Sequence, residues 1–251
     1  MPPLASWLPW AVCVALLALV GVVVLRLFRI ASPLAGLFAL LRGTAQLIIL
    51  SVILSGVITS LGWVALAVAV TFGAAVFTAT RRIGLGMGSV VAVTVAMLAG
   101  VAVSLGVVFL TGAVEFNARY VLAMAGIVIG NTMTVAALGG THLRALVTDR
   151  WTEVEAWLTV GASPRRAARD FARLAASRAI IPGIDQTKTT GLVVLPGAFV
   201  GAIFGGLSPL EAGRFQIVVL AAIVASSSIV STLLTSLLRS RAVARPEREF
   251  A

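Results

Sequence analysis

Charge is scarce in this chain, and the residues that build most soluble active sites are scarcer still. Of 251 residues, 60% are hydrophobic and only 11% charged, whereas a soluble domain carries about 25% charged residues. The single cysteine, Cys13, rules out an intrachain disulfide and a cysteine zinc site, and reads as a packed apolar thiol. The single histidine, His142, lacks nearby Cys or acidic partners and makes a poor metal-site nucleus. A Walker A motif, a nucleophile–base constellation and a metal-hydrolase motif are all missing. The chain alone is therefore read as non-enzymatic, with no cofactor of its own. Residues 1–25 do not read as a secretory signal: they lack a basic start, and Arg26 and Arg29 follow the apolar run instead of preceding it. That order predicts a first helix with its N-terminus outside and Trp7 and Trp10 near the outer interface.

What the chain does have is a series of apolar runs of about 18 residues or more, enough to cross a hydrocarbon core roughly 30 Å thick. Spans are expected near 7–25, 45–61, 63–79, 87–110, 120–139, 189–207 and 215–238. The fold class is all-α, a polytopic membrane bundle of about seven helices; a β-barrel would show short alternating segments. With the N-terminus outside and the C-terminus inside, 17 of the 19 Lys and Arg residues fall on the cytoplasmic side, leaving Arg119 and Arg214 outside. This positive-inside asymmetry accounts for the net charge of +10 without nucleic acid. Arg outnumbers Lys 18 to 1 and Ala and Val abound, which points to a GC-rich bacterial genome and hence a bacterial plasma membrane. None of the expected spans holds Asp or Glu. That argues against a proton- or sodium-coupled carrier. It also leaves no hard-metal site visible, so a metal ion would pass by transient binding, in chelated form, or on amides and Met.

The chain reads as one membrane domain, 1–251, with a cytoplasmic segment over 141–188 and a cytoplasmic tail over 239–251. Residues 33–41 are apolar but Arg42 interrupts before the run resumes, so they lie either at the inner interface or at the start of a long, tilted span. Arg81-Arg82 and Gly84, Gly86 and Gly88 predict a tight inner turn; a phosphate loop would need a preceding strand. In the 141–188 segment, Thr152 and Glu155 have capping-box spacing, Gly161 fits a helix stop, and Ser163-Pro164 fits the start of a second helix. Arg165, Arg169 and Arg173 form a basic stripe, with Ala168, Phe171, Leu174 and Ala175 on another face. Trp151, Val154, Trp157 and Leu158 give the first helix its apolar side. The pair is either a docking element for a soluble partner or an interfacial pair snorkelling its arginines to membrane lipid.

Glu155-Ala156, followed by Gly161-Ala162, resembles the coupling loop of ABC transporter permeases, although the closing Ile181-Pro182 comes later than in importers. A wider set matches in order: Arg42 with Gln46-Leu47, Gly130-Asn131-Thr132-Met133, Ile181-Pro182, Lys188-Thr189 through Pro196-Gly197, and Phe215 to Val219. On these motifs the chain resembles the FetB family of iron-export permeases and plant aluminium-tolerance relatives. The resemblance implies a homodimer that works with a cytoplasmic ABC ATPase, ATP and Mg being held by that subunit. Glu155, Ala156, Gly161, Ala162, Ser163, Pro164, Arg165 and Arg169 would then couple the ATPase to the membrane domain.

Within the spans, Asn131 is a central amide that needs a partner. With Thr132 and Met133 it either lines a transport path or bonds between helices; Gln46 is a similar case nearer the inside. Lys188 contacts lipid phosphate, caps the path or anchors a helix. Gly197, Gly201 and Gly205 form a small-residue packing seam, as do Gly126 and Gly130, and Pro196 beside Gly191 predicts a kink in the sixth span.

Overall fold

The computed structural model describes residues 7–29, 34–57 and 60–244. They form ten α-helices and no strand, only an isolated bridge between Thr190 and Val194. The chain divides into two units, Met1–Thr59 and Ser60–Ala251.

The first unit is a helical pair, α1 (Trp7–Leu27) packed on α2 (Ala35–Val57). Because α2 begins at Ala35, the apolar stretch ahead of Arg42 is the start of the second helix and not a separate interfacial segment. Gln46 lies on α2 and is exposed, as is Arg42.

In the second unit, α3 (Leu61–Ile83) starts at Ser60, whose hydroxyl accepts the Trp63 N–H at 3.4 Å. Leu61 thus opens the third helix instead of closing the second. The expected tight turn follows: Gly84 and Gly86 have φ of +72° and +76°, a region open to glycine at little cost, and Met87–Ser89 make one 3-10 turn. Then come α4 (Val90–Leu110), α5 (Ala118–Asp149), α6 (Trp151–Thr159), α7 (Pro164–Ala167), α8 (Arg169–Thr189), α9 (Gly197–Phe204) and α10 (Pro209–Ala244). Helices α3, α4, α5 and α10 are each long and apolar enough to cross a membrane. At 21 residues, α4 is about 32 Å long, close to the hydrocarbon thickness. With 32 and 36 residues, α5 and α10 are longer than it, and Arg144 lies toward the end of α5 and Arg239 and Arg241 toward the end of α10.

Helix α10 is the hub, packing on α5, α4 and α8, while α3 packs on α5. Met97, Met124, Val128, Ile129, Leu143, Leu234 and Leu238 are buried at the centre. Two glycines set the closest approaches between helices. A Cβ on Gly100 would lie 3.0 Å from the Ser226 carbonyl oxygen, and one on Gly140 would lie 2.7 Å from Ile83 Cδ1. The expected seams are different: Gly126, Gly130, Gly197 and Gly201 face no atom within 4 Å, and Gly205 meets only the backbone of its own turn. Close packing inside the chain therefore falls to Gly100 and the Gly139-Gly140 pair.

The sixth span departs most from expectation. Residues 189–207 are not one helix: Pro196 caps the start of the eight-residue α9, so it marks a break where a kink was expected. The turn between has Gly191 at φ +88°. Helix α8 instead begins at Arg169, contains Pro182 in its interior, and packs along α5 and α10. The segment read as cytoplasmic, 141–188, thus includes all but the last residue of a helix that packs along two of the long apolar helices. Pro182, read as the end of the docking segment, is part of that helix.

Candidate functional site

Arginines gather at one end of the bundle. Arg241 donates to the Gly88 carbonyl, and Arg144 lies against Gly84, which ties the ends of α10 and α5 to the α3–α4 turn. From that end α5 passes through Arg150 into α6. The capping box read at Thr152 and Glu155 does not form, because α6 starts two residues earlier, after Arg150. Its stop is as expected. Gly161 has φ +85°, its N–H bonds to the Leu158 carbonyl, and the Ala162 N–H bonds to the Trp157 carbonyl at 3.0 Å, the paired pattern of a left-handed helix stop. Ser163 is extended at φ −66°, ψ 153°, with Pro164 at the first helical position. Val154, Ala167, Ala168 and Phe171 are buried, whereas Glu155, Ala156, Arg165, Arg169 and Arg173 are exposed. The unit is therefore anchored by its apolar side and offers a charged outer face.

Beside it lies a cavity of about 430 Å³ between α8 and α10. Arg169, Arg173 and Arg239 line it, Arg173 being bonded to Asp170 at 3.4 Å. Its α10 wall is a hydroxyl stripe: Ser228, Ser231, Thr232, Thr235 and Ser236. Ser228 donates to the Val224 carbonyl at 2.8 Å and Thr235 to the Ser231 carbonyl at 2.8 Å. With their protons committed to the helix, these hydroxyls turn lone pairs toward the cavity. A smaller cavity continues the seam through Ile180, Gly183, Ile184 and Ser227. It ends beside Asn131, whose Nδ2 donates to Ser227 Oγ at 2.8 Å. Thr132 is buried and bonds to the Ile129 carbonyl at 2.9 Å, while Met133 packs against the core. The Ser/Thr stripe had a signal in sequence, hydroxyls spaced three and four apart along the last apolar run.

Lys188 and Asp185 form an ion pair of 3.2 Å on the exposed side of α8. Gly191 sits in the turn beyond, and α9 buries none of its residues. At the opposite end of the bundle, a cavity of about 550 Å³ opens among α5, α9 and α10, lined by Tyr120, Phe215, Arg119 and Gly201. Tyr120 and Phe215 hold their rings 5.5 Å apart there. Among the described residues, no group of three or more His, Cys, Asp or Glu could hold a metal ion.

Apolar helices of spanning length, a polar seam between two of them and a charged helix pair at one end define a polytopic helical membrane protein. The chain belongs to the family described as "Uncharacterised protein family (UPF0014)", whose model matches residues 7–243. It is 36% identical over 204 residues to the UPF0014 membrane protein STAR2 of rice, an alignment covering 80% of this chain and 71% of that one. It is 42% identical over 118 residues to the Arabidopsis protein ALUMINUM SENSITIVE 3, covering 46% and 43%. It is 34% identical over 121 residues to the probable iron export permease protein FetB of Escherichia coli, covering 48% and 46%. The chain thus aligns with less than half the length of the last two. The resemblance read from the motifs is borne out. No solved structure matches.

Proposed function

We propose that this chain is the membrane-spanning permease subunit of an ABC transporter. It works as a homodimer in a bacterial plasma membrane, with ATP and Mg held by a separate cytoplasmic ATPase. The observation that carries this reading is mechanical. The charged face of α6 and α7 runs, through one residue, into α8, and α8 forms a wall of the polar seam. A push on Glu155–Arg169 is thereby applied to the helix that borders the path. The open faces of Gly197 and Gly201 and the unburied α9 supply a surface for the second copy.

The cargo is iron or another metal ion, moved outward, in keeping with the iron-export relative. A second reading keeps the machine and exports an organic anion, such as a lipid or a sugar nucleotide. Arg169, Arg173 and Arg239 at the seam favour it, since a basic entrance attracts anions. Reconstitution with a cytoplasmic ABC ATPase from the same organism, in vesicles holding either iron or candidate anions, decides the matter. ATP-dependent efflux of iron is expected. Failure of any ATPase to bind would leave a membrane scaffold that holds a soluble regulator.

A further inference from the structure

We propose that the cavity between α8 and α10 takes the metal cargo as an anionic complex, chelated by a small polycarboxylate, and not as a bare ion. The site rests on the export reading above and specifies the form in which the cargo is bound.

The cavity has two unlike walls. Arg169 and Arg173 from α8 and Arg239 from α10 bring guanidinium groups to it, and among the described residues no Asp or Glu lines it. Asp170 bonds to Arg173 at 3.4 Å, but both side chains lie open to solvent, where such a pair is weak. Arg239 commits its Nε proton to the Ser236 carbonyl at 3.1 Å, which holds the base of the fork and keeps its terminal nitrogens for a ligand. A bare multivalent cation is repelled by this wall, whereas carboxylates match guanidinium forks in charge and geometry.

The α10 wall asks for something else. Ser228 donates to the Val224 carbonyl at 2.8 Å, Ser231 to the Ser228 carbonyl at 3.3 Å and Thr235 to the Ser231 carbonyl at 2.8 Å. With those protons committed, each hydroxyl offers a ligand only lone pairs. A simple carboxylate or phosphate, itself an acceptor, gains nothing there. Water bound to a metal ion is a strong donor, because the ion acidifies it. A chelate with carboxylates on one side and metal-bound water on the other satisfies both walls. Ser231 and Thr235 are each 1% exposed, so the protein shields this side, and hydrogen bonds are stronger there than in open solvent.

The donor set agrees. Among the described residues no group of three or more His, Cys, Asp or Glu could hold an ion, and a chelator brings the oxygen ligands with it. The cavity volume of about 430 Å³ is that of a small-molecule site, which spans about 300–1,000 Å³. A hydroxyl-bearing organic anion meets the same two walls, and the experiment must separate it from the metal complex.

The test is equilibrium binding of radiolabelled iron, supplied as ferric citrate, to the purified full chain in nanodiscs of zwitterionic lipid. Mn2+ serves as the bare cation, glycerol phosphate as the hydroxyl-bearing anion without metal, and thermal melting as the control for folding. Arg173→Gln and Arg239→Gln should each weaken binding of the ferric complex about tenfold. Arg178→Gln removes the same charge from α8 without lining the cavity and should leave binding unchanged. Ser228→Ala should weaken the ferric complex about threefold and leave metal-free citrate unaffected. Mn2+ binding tighter than that of the complex and insensitive to the arginine variants overturns the proposal. Glycerol phosphate binding as tightly as the complex also overturns it. Undiminished ATP-driven efflux from vesicles loaded with chelator-free ferrous iron overturns it too, and leaves the export reading in place. Arginine-dependent binding of the complex without any ATP-driven efflux supports the site and removes the export reading.

Discussion

The Asn131 amide donates to the Ser227 hydroxyl at 2.8 Å, joining α5 to α10 across 96 positions of sequence. The bond lies beside the smaller cavity of the seam, which Ser227 lines, and on the proposed reading it serves packing and path together. Asn131→Leu removes the donor, at a cost of about 0.6–2 kcal/mol for an interhelical bond in a membrane. The variant should assemble with a slightly lower melting temperature and should move cargo more slowly. Ser227→Ala added to it should cost little more, and a fully additive double variant would show that the two side chains do not interact.

Close approach at glycine gives a sharper contrast. Gly140→Leu must displace Ile83, and Gly100→Leu must displace α10 backbone at Ser226. Overpacking of this kind costs typically about 1–3 kcal/mol. A Cβ at Gly201 would meet no atom within 4 Å outside its own turn, so Gly201→Leu should leave the melting temperature of the monomer nearly unchanged. If that substitution instead weakens dimer formation in a cross-linking assay, it locates the surface of the second copy.

Gly161 acts through its backbone. Its φ of +85° costs a residue with a side chain roughly 1–2 kcal/mol. Gly161→Val should leave insertion intact but shift the angle between α6 and α7, with loss of ATPase co-purification. Glu155→Lys changes only the exposed face and should weaken the same association without affecting melting. Normal ATPase coupling in both variants would favour lipid contact as the role of this helix pair.

Orientation is open to direct chemistry. Ala113 is exposed in the turn after α4, and Ser163 is exposed between α6 and α7. On a Cys13→Ser background, Ala113→Cys should react with an impermeant thiol reagent from outside the cell, and Ser163→Cys only after lysis. Labelling of both from one side would contradict the charge asymmetry as a guide to topology.

Helices α3, α4, α5 and α10 were legible because their apolar runs are long and their charges sit at the ends. Helix α8 was not, since Arg169, Asp170, Arg173, Arg178, Asp185 and Lys188 give it the polarity of a surface helix. Hydropathy identifies helices that face lipid, and α8 places its small residues against protein. The hydroxyl stripe escaped for the reverse reason: Ser228, Ser231 and Thr235 scarcely lower the hydropathy of α10. The role of Asn131 was half visible, as an amide that required a partner whose identity only the fold supplies. Glycine spacing pointed to Gly197 and Gly201, but spacing says nothing of what stands opposite, and the bulk of Ile83 selected Gly140 instead.

The buried side of α8 opens with Phe171, beside Ala168 just ahead of it, and continues with Ala172, Ala175 and Ala179. Larger side chains would interlock with α5 and α10 and fix the helix at one height. Beyond Phe171, methyl groups leave a nearly smooth rail with little to interlock. Stiffness along α8 is therefore divided unequally: Phe171 keys its first turn, and the alanines beyond it hold the helix without interlocking.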